Sequence, residues 1–417
     1  MEYGCIGKKL THSFSKIIHN KLADYEYELC EIPENELADF MTKADFKAIN
    51  VTIPYKQAVI PFLHSISDTA KRIGAVNTVV NKNGRLYGYN TDFSGMRALI
   101  LRQGVSLKGK KVLILGSGGT SKTAYAVAEN LGAAEVYRVS RSGKDGAVTY
   151  DEAYDKHSDA QAIINTTPCG MYPAIGESAV DTERFPDLSS VTDAVYNPLS
   201  SALVVSAREK GINAVGGLYM LVAQAAFAAE KFIDISVPEE KTEEIYRSIL
   251  SQKKNIVLIG MPGCGKTTIG KRLAAELGKK FIDTDSEIIK EINMPISDYF
   301  ARFGEESFRR LESEVIKRIS AEQSAVTATG GGAVLNRENI RLLKENGTVV
   351  FIDRPIEKLV TSSDRPLSSD REMLKKRYDE RYGLYCSSAD KKINAVDELE
   401  LNVKAIKEVF LNEITCN

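Results

Sequence analysis

The chain has 417 residues, too many for one ordinary domain; a prior of roughly 100–200 residues per domain gives two to four. With 43% hydrophobic and 27% charged residues it has the make-up of a packed globular protein rather than a disordered one. Its 55 basic residues nearly cancel its 56 acidic ones, which removes the broad electrostatic case for nucleic acid or an anionic membrane as partner and leaves small anionic ligands open.

The stretch MEYGCIGKKLTHSFSK has no apolar run behind a basic one, and no window approaches the ~18 unbroken apolar residues of a membrane span. A cytoplasmic protein is therefore expected, with homo-oligomerisation left open. Six cysteines (Cys5, Cys30, Cys169, Cys264, Cys386, Cys416) form no C-x-x-C pair, and no histidine stands at metal-ligand spacing beside them; reduced thiols and no zinc are expected.

Up to about Leu101 the strand candidates are YGCIG, YEYELCEI and FKAINVTI, which read as an α/β substrate lobe. Polar groups recur in it: Ser13 and Ser15 flank a phenylalanine in THSFSK, Thr52 and Lys56 reach a strand end in NVTIPYK, Asn77 sits in GAVNTV, and Asp92 in GYNTDF. Each alone has a bland reading as a turn hydroxyl, a loop amide or a solvated charge. Their ordered series carries the weight.

From Lys111 the apolar runs VLIL, AEVYRV, QAIINTT, VTDAV and INAV alternate with helix-length segments, the pattern of a parallel sheet covered on both faces. In KKVLILGSGGTSKTA, Gly116, Gly118, Gly119 and Thr120 lie between strand and helix. As G-x-G-x-x-G the loop is imperfect, because Ser121 takes the last small position. The next strand ends YRVSRS: where an acidic residue would take the ribose hydroxyls of NAD, Ser140, Arg141 and Ser142 offer donors to a 2′-phosphate, so NADP(H) is expected. GGLYMLVAQAAFAAEKF is apolar nearly all round and predicts a buried helix over about 218–235, with Gln224 its interior polar group. The charged segment after it reads as a surface helix acting as a connector. The expected division is 1–101 with the 218–235 helix, 102–217, a connector over 236–254, and 255–417.

The last segment repeats the α/β alternation with IVLI, KKFIDTD, SAVTATGGG and TVVFID. In NIVLIGMPGCGKTT, Gly260, Gly265, Lys266 and Thr267 fill G-x-x-x-x-G-K-[ST], with Gly263 and Thr268 in the same turn. Such a loop wraps backbone N–H groups round the phosphates of ATP, extends a lysine to the outer ones, and offers a hydroxyl to Mg2+. FIDTDSEI is expected to carry Asp283 and Asp285 at a strand end with both carboxylates pointing the same way. FGEESFRRLESEVI is helical by its Phe308, Leu311, Val315, Ile319 spacing and puts Arg309 on the other side; an exposed pairing with Glu305 or Glu312 is the plain alternative for that arginine. TATGGGAV needs a backbone passing close to something flat, SSDRPLSS holds Arg365, and KKRYDERYGLY holds Arg377 and Arg381.

In order, GMPGCGKT, D-T-D, G-E-x-x-F-R-x-x-E, G-G-G, R-P-L and R-x-x-L-Y make this segment resemble shikimate kinase from about Asn255 onward. The resemblance implies that Asp285 holds the ring hydroxyls and orients the attacking one, and that Asp283 sits near the magnesium with Thr267. It further implies that Arg309 and Arg381 clamp a carboxylate, that Gly331 and Gly332 line the ring, and that Arg365 closes over the phosphates. Phosphoryl transfer is mostly positioning and charge neutralisation, which suits these residue types. The lid KLVTSSDRPL is short, and the earlier arginine that such kinases commonly set against the adenine is absent.

The first 235 residues or so resemble shikimate dehydrogenase, through the polar series above and through NTTPCGM, DAVYNPLSSALV and GLYMLVAQAAF. That resemblance makes Lys56 and Asp92 the catalytic pair, with Ser13, Ser15, Thr52, Asn77, Asp92, Tyr196 and Gln224 binding the substrate's carboxylate and hydroxyls. The two resemblances together imply a substrate lobe, a Rossmann-type NADP-binding domain and a P-loop kinase domain with a parallel sheet between helices. They also imply a two-step enzyme of small-molecule substrates: reduction of 3-dehydroshikimate, then phosphorylation of the product. Two alternatives compete: a quinate-preferring, NAD-dependent first half, and a metabolite-sensing regulator built from decayed enzyme domains. Ser13, Ser15 and Arg141 argue against the first. The intact Lys56, Asp92, Lys266, Thr267, Asp285 and Arg309 argue against the second.

Overall fold

The structure, a computed structural model, describes residues 1–10, 14–359 and 371–416. The chain divides into two compact units: Met1–Met171 with Glu177–Asn197 and Ser206–Ser248, and Tyr172–Gly176 with Pro198–Val205 and Ile249–Asn417.

The first unit holds two sheets. One is six-stranded, in the order Tyr27–Glu31, Tyr3–Gly7, Ala48–Val51, Thr78–Lys82, Arg85–Tyr89, Ser65–Ile66. Its first three strands run parallel, and Thr78–Lys82 pairs antiparallel with both of its neighbours. The other is five-stranded and wholly parallel, in the order Asn213–Val215, Ser190–Asp193, Ala162–Asn165, Lys111–Leu115, Glu135–Val139. Its inner strands are buried along their length, as continuous apolar runs between helical layers must be.

The helix Leu218–Ile233 joins the cores of both sheets. Tyr219, Met220 and Ala223 pack with Val112, Ile114, Ala162 and Ile164 of the parallel sheet, whereas Ala228 and Phe232 pack with Cys5, Tyr27, Ala48 and Val80 of the mixed one. It lies against the helix Thr91–Arg102 so closely that a Cβ on Gly95 would sit 2.7 Å from the Met220 carbonyl oxygen and 2.9 Å from Gln224 Cβ. Gln224 is thereby held beside the helix that carries Asp92.

The segment expected as a surface connector forms the helix Glu239–Lys253, but it is not merely a surface helix: Thr242 and Ile245 are buried. Arg102 donates to both Glu243 oxygens at 2.9 and 2.8 Å, and its guanidinium lies over the Tyr219 and Tyr246 rings at 4.7 and 4.6 Å. The reason is that Glu243 is spent on a planar, half-buried clamp, while Glu239, Glu240 and Glu244 stay exposed.

The second unit is built on a parallel sheet in the order Lys280–Asp283, Ala325–Ala328, Asn255–Ile259, Gly347–Asp353, Lys391–Asn394. The strand Asn255–Ile259 is central and buried at every residue, and it delivers the chain to the loop before the helix Lys266–Leu277. The helix Ile296–Ser320 is broken at Gly304, whose φ of 79° and ψ of 171° suit only glycine. No helix among the described residues is long and apolar enough to cross a membrane.

Candidate active sites

In the first unit a cleft of about 520 Å³ is lined by Ser15, Thr52, Lys56, Asn77, Asp92, Thr120, Tyr196 and Gln224. Ser13 lies outside the described residues. Lys56 follows the strand Ala48–Val51 in a turn anchored by the Val76 N–H, which donates to the Lys56 carbonyl at 2.8 Å. Its Nζ donates to Asp92 Oδ2 at 2.6 Å. Asp92 sits in the first turn of the helix Thr91–Arg102, whose N-cap Asn90 accepts from the Phe93 N–H at 3.1 Å. The carboxylate therefore meets an ammonium and the positive end of a helix together. Asn77 is 5% exposed; its Oδ1 accepts from the Thr91 N–H at 2.7 Å and its Nδ2 donates to Thr91 Oγ1 at 3.1 Å, so its amide also fixes the start of that helix.

Cys5, His19 and Asn50 line the same cleft and were not anticipated. His19 is stacked on Tyr27 at 4.0 Å, and burial lowers its pKa to about 3, which keeps it neutral. Burial pushes the Cys5 thiol up to about 12. The charged side chains lining the cleft among the described residues are then Lys9, Lys56 and Asp92.

A second cleft of about 730 Å³ is lined by Gly116, Gly118, Ser140, Arg141 and Tyr150. Gly118 is the N-cap of the helix Gly119–Asn130, so backbone N–H groups face an incoming anion. Ser140 is buried and its Oγ accepts from the Gly143 N–H at 3.1 Å, while Arg141 and Ser142 are exposed. Gly119 and Ser142 are not part of this wall, and Thr120 belongs to the first cleft. Thr166, Thr167 and Pro168 line both clefts, so a ligand in one can touch a ligand in the other. Their turn is held by Asn165, whose Oδ1 accepts from the Thr167 N–H at 3.0 Å and its hydroxyl at 2.7 Å.

In the second unit Gly260, Gly263 and Gly265 take φ values of 147°, 81° and 102°, turning the loop into the helix that opens at Lys266. Lys266 is 7% exposed and its Nζ donates to the Gly260 and Met261 carbonyls at 2.8 and 3.0 Å. Thr267 donates to Asp283 Oδ2 at 2.8 Å, and Thr268 is exposed beyond it. Hydroxyl and carboxylate oxygens side by side beneath a phosphate loop suit a hard divalent cation.

The expectation that Asp283 and Asp285 share a strand end is corrected. The strand stops at Asp283, which is the N-cap of the helix Thr284–Ile292 and accepts from the Ser286 N–H at 3.1 Å; Asp285 is in the first helical turn. A capping side chain ends the strand before the alternation can continue. Asp285 still reaches the glycine run, since a Cβ on Gly330 would lie 2.8 Å from its Oδ1 and equally from Glu312 Oε1. A Cβ on Gly332 would run into the Arg309 guanidinium, and one on Gly331 would lie 2.8 Å from the Pro262 ring. A side chain at any of the three positions would therefore crowd its neighbours.

Arg309 does pair with both neighbouring glutamates: Nη1 donates to Glu312 at 2.6 Å and Nη2 to Glu305 at 3.1 Å. The two contacts are unequal, because the Glu305 side chain is 57% exposed and that of Glu312 only 2%. Burial raises the Glu312 pKa, and Arg309 opposes that shift. Arg381 is buried and donates to the Gly331 carbonyl at 3.1 Å, where Tyr385 also donates at 2.6 Å. Arg365 lies outside the described residues. Glu312 and Tyr385 lie in the motifs read from the sequence, but their parts in this pocket, holding Arg309 and donating to the Gly331 carbonyl, were not assigned there.

The fold and these sites fit two enzymes in one chain, an oxidoreductase unit with a lysine–aspartate pair in one of two adjoining clefts and a phosphotransferase unit on a phosphate loop. Residues 5–79 match the family model for the shikimate dehydrogenase substrate binding domain, and residues 262–414 match the shikimate kinase model. A shikimate dehydrogenase (NADP(+)) of Clostridium perfringens is 36% identical over 265 residues, which cover 59% of this chain and 97% of that one. Among solved structures, a chorismate mutase/shikimate 5-dehydrogenase fusion protein from Clostridium acetobutylicum is 37% identical, with a TM-score of 0.57 over 59% of this chain and 96% of that one. The shikimate 5-dehydrogenase from Thermus thermophilus in complex with NADP(H) and shikimate is 28% identical, with a TM-score of 0.54 over 60% of this chain and 99% of that one. The chain belongs to the shikimate dehydrogenase family and carries a shikimate kinase domain after it.

Proposed function

We infer that the first unit reduces the ketone of 3-dehydroshikimate with NADPH to give shikimate, and that the second transfers the γ-phosphoryl group of ATP to that product to give shikimate 3-phosphate. One observation carries the reading: the Lys56–Asp92 pair lies in a cleft that shares Thr166, Thr167 and Pro168 with a dinucleotide cleft, in a chain that also holds a complete phosphate loop.

The donors round the second cleft suit a 2′-phosphorylated dinucleotide, since Ser140 and Arg141 line it. When bound, NADPH supplies the electron pair for the reduction. Lys56 gives a proton to the substrate oxygen as negative charge builds there, and Asp92 holds the ammonium in place while accepting from a substrate hydroxyl. Ser13, Ser15, Thr52, Asn77, Tyr196 and Gln224 bind the remaining hydroxyls and the carboxylate. In this assignment residues 1–101 with the 218–235 helix bind substrate, 102–217 bind the dinucleotide, 236–254 connect, and 255–417 form the kinase.

In the kinase, Asp285 orients the attacking hydroxyl and takes its proton, while Gly331 and Gly332 face the ring and Arg309 and Arg381 clamp the carboxylate. The Glu305 contact of Arg309 is exposed and worth about 0–1 kcal/mol, so a substrate carboxylate can displace it. The Glu312 contact, out of water, keeps the guanidinium where it is. Lys266 and Arg365 neutralise the phosphates, and Thr267 and Asp283 hold Mg2+, which when bound supplies further charge neutralisation. We place this chemistry in the cytoplasm, where the free thiols Cys5, Cys30, Cys169, Cys264 and Cys386 would stay reduced.

The test is one incubation of the full chain with 3-dehydroshikimate, NADPH, ATP and magnesium, read by mass spectrometry. Shikimate 3-phosphate is expected, and Lys266→Ala should stop the sequence at shikimate. Oxidation of NADPH without any phosphate ester would overturn the kinase half.

A further inference from the structure

We propose that Lys9 is a specificity residue of the reduction, its ammonium holding the substrate carboxylate at the exposed edge of the first cleft; this rests on the reading that the first unit acts on 3-dehydroshikimate. Lys9 lines the cleft together with Ser15, Lys56 and Asp92. Lys56 and Asp92 neutralise each other at 2.6 Å, and His19 is kept neutral by burial. The charge the cleft offers an incoming anion is therefore that of Lys9.

Its neighbour Lys8 is engaged with Glu34 at 3.4 Å, whereas Lys9 has no ion pair among the described residues. The backbone beneath it is fixed. The Lys8 N–H donates to the Ile53 carbonyl at 3.5 Å, the Leu10 N–H donates to Glu31 Oε1 at 2.7 Å, and a Cβ on Gly7 would lie 2.7 Å from Thr52 Cγ2 and 2.9 Å from Leu10 Cδ2. Lys9 is thus held between two anchored residues at the wall that Thr52 also lines, with a flexible stem and a point charge that reaches a carboxylate without needing bidentate geometry. A lone cation in a cleft with low-dielectric walls raises the local concentration of an anionic substrate and strengthens its binding, without touching the reacting carbonyl.

The experiment compares the full-length wild type with Lys9→Met, Lys9→Arg and Lys8→Met in steady-state reduction of 3-dehydroshikimate by NADPH, at two salt concentrations, with melting curves for each. Lys9→Met should raise KM for 3-dehydroshikimate about five- to tenfold, with kcat and the KM for NADPH within about twofold of wild type. Lys9→Arg should restore most of the affinity, Lys8→Met should change little, and added salt should raise KM less steeply in Lys9→Met than in wild type. An unchanged KM in Lys9→Met, or a loss that Arg does not restore, overturns the proposal. A wild type that fails to reduce 3-dehydroshikimate at all overturns the functional reading itself, which separates the two failures.

Discussion

Lys56 Nζ meets Asp92 Oδ2 at 2.6 Å where the helix Thr91–Arg102 begins, so the ammonium and the carboxylate are fixed by backbone as well as by charge. Replacing Lys56 by Met, or Asp92 by Asn, should lower kcat for ketone reduction by about 10²- to 10⁴-fold. Phosphorylation of added shikimate by the same variants should proceed at the wild-type rate. Parallel assays of NADPH absorbance and ADP release check both statements.

Arg141 lines the dinucleotide cleft while its side chain stays exposed. Arg141→Ala should raise KM for NADPH by about tenfold and leave that for NADH nearly unchanged, because the lost partner is a 2′-phosphate. Equal losses for both cofactors would remove Arg141 from that role.

Asp283 has two tasks, one oxygen accepting from Thr267 Oγ1 and the other capping the helix Thr284–Ile292 through the Ser286 N–H. Asn caps about as well as Asp, so Asp283→Asn should keep stability within about 0.5 kcal/mol. Its magnesium requirement for phosphorylation should rise about 10- to 100-fold. Magnesium titration and thermal melting together separate the two tasks.

Glu345, near the end of the helix Arg337–Asn346, is 1% exposed; its Oε2 has no hydrogen-bond partner among the described residues, and burial raises its pKa from 4.5 to about 8. The folded chain then keeps a proton that the unfolded chain releases near 4.5. Stability from this group is complete below the unfolded value and is lost as pH rises through about 8. The melting temperature of the wild type should therefore fall between about pH 4.5 and pH 8, and Glu345→Gln should flatten that slope. Parallel curves for the two proteins would contradict the assignment.

The strand-loop-helix turns at Gly116–Gly119 and Gly260–Thr267 are legible in sequence because a glycine-rich turn between an apolar run and a helix obeys local rules. Asp285 is misplaced for an equally local reason. The alternation in FIDTDSEI looks the same whether the strand continues or stops, and what stops it is the Asp283 side chain bonding its own helix. Around Arg309 the difficulty is tertiary: Glu305 and Glu312 are the same residue type at helical spacing, and only packing against Gly330 makes one solvent-exposed and the other buried. Thr166, Thr167 and Pro168 stand in NTTPCGM, which marks the resemblance but carries no assigned role, because nothing linear records that two clefts share them.

The helix Leu218–Ile233 also sets a timetable for synthesis. Ala228 and Phe232 fill the core round Cys5, Tyr27, Ala48 and Val80, so a nascent chain that has emerged as far as residue 101 holds every strand of the mixed sheet but lacks part of its interior. That sheet must wait, with apolar surface showing, while the ribosome completes the parallel sheet and delivers the helix. A message truncated between those points would yield a chaperone client rather than a half-enzyme, whereas one truncated just after the connector would leave a lobe with its core filled.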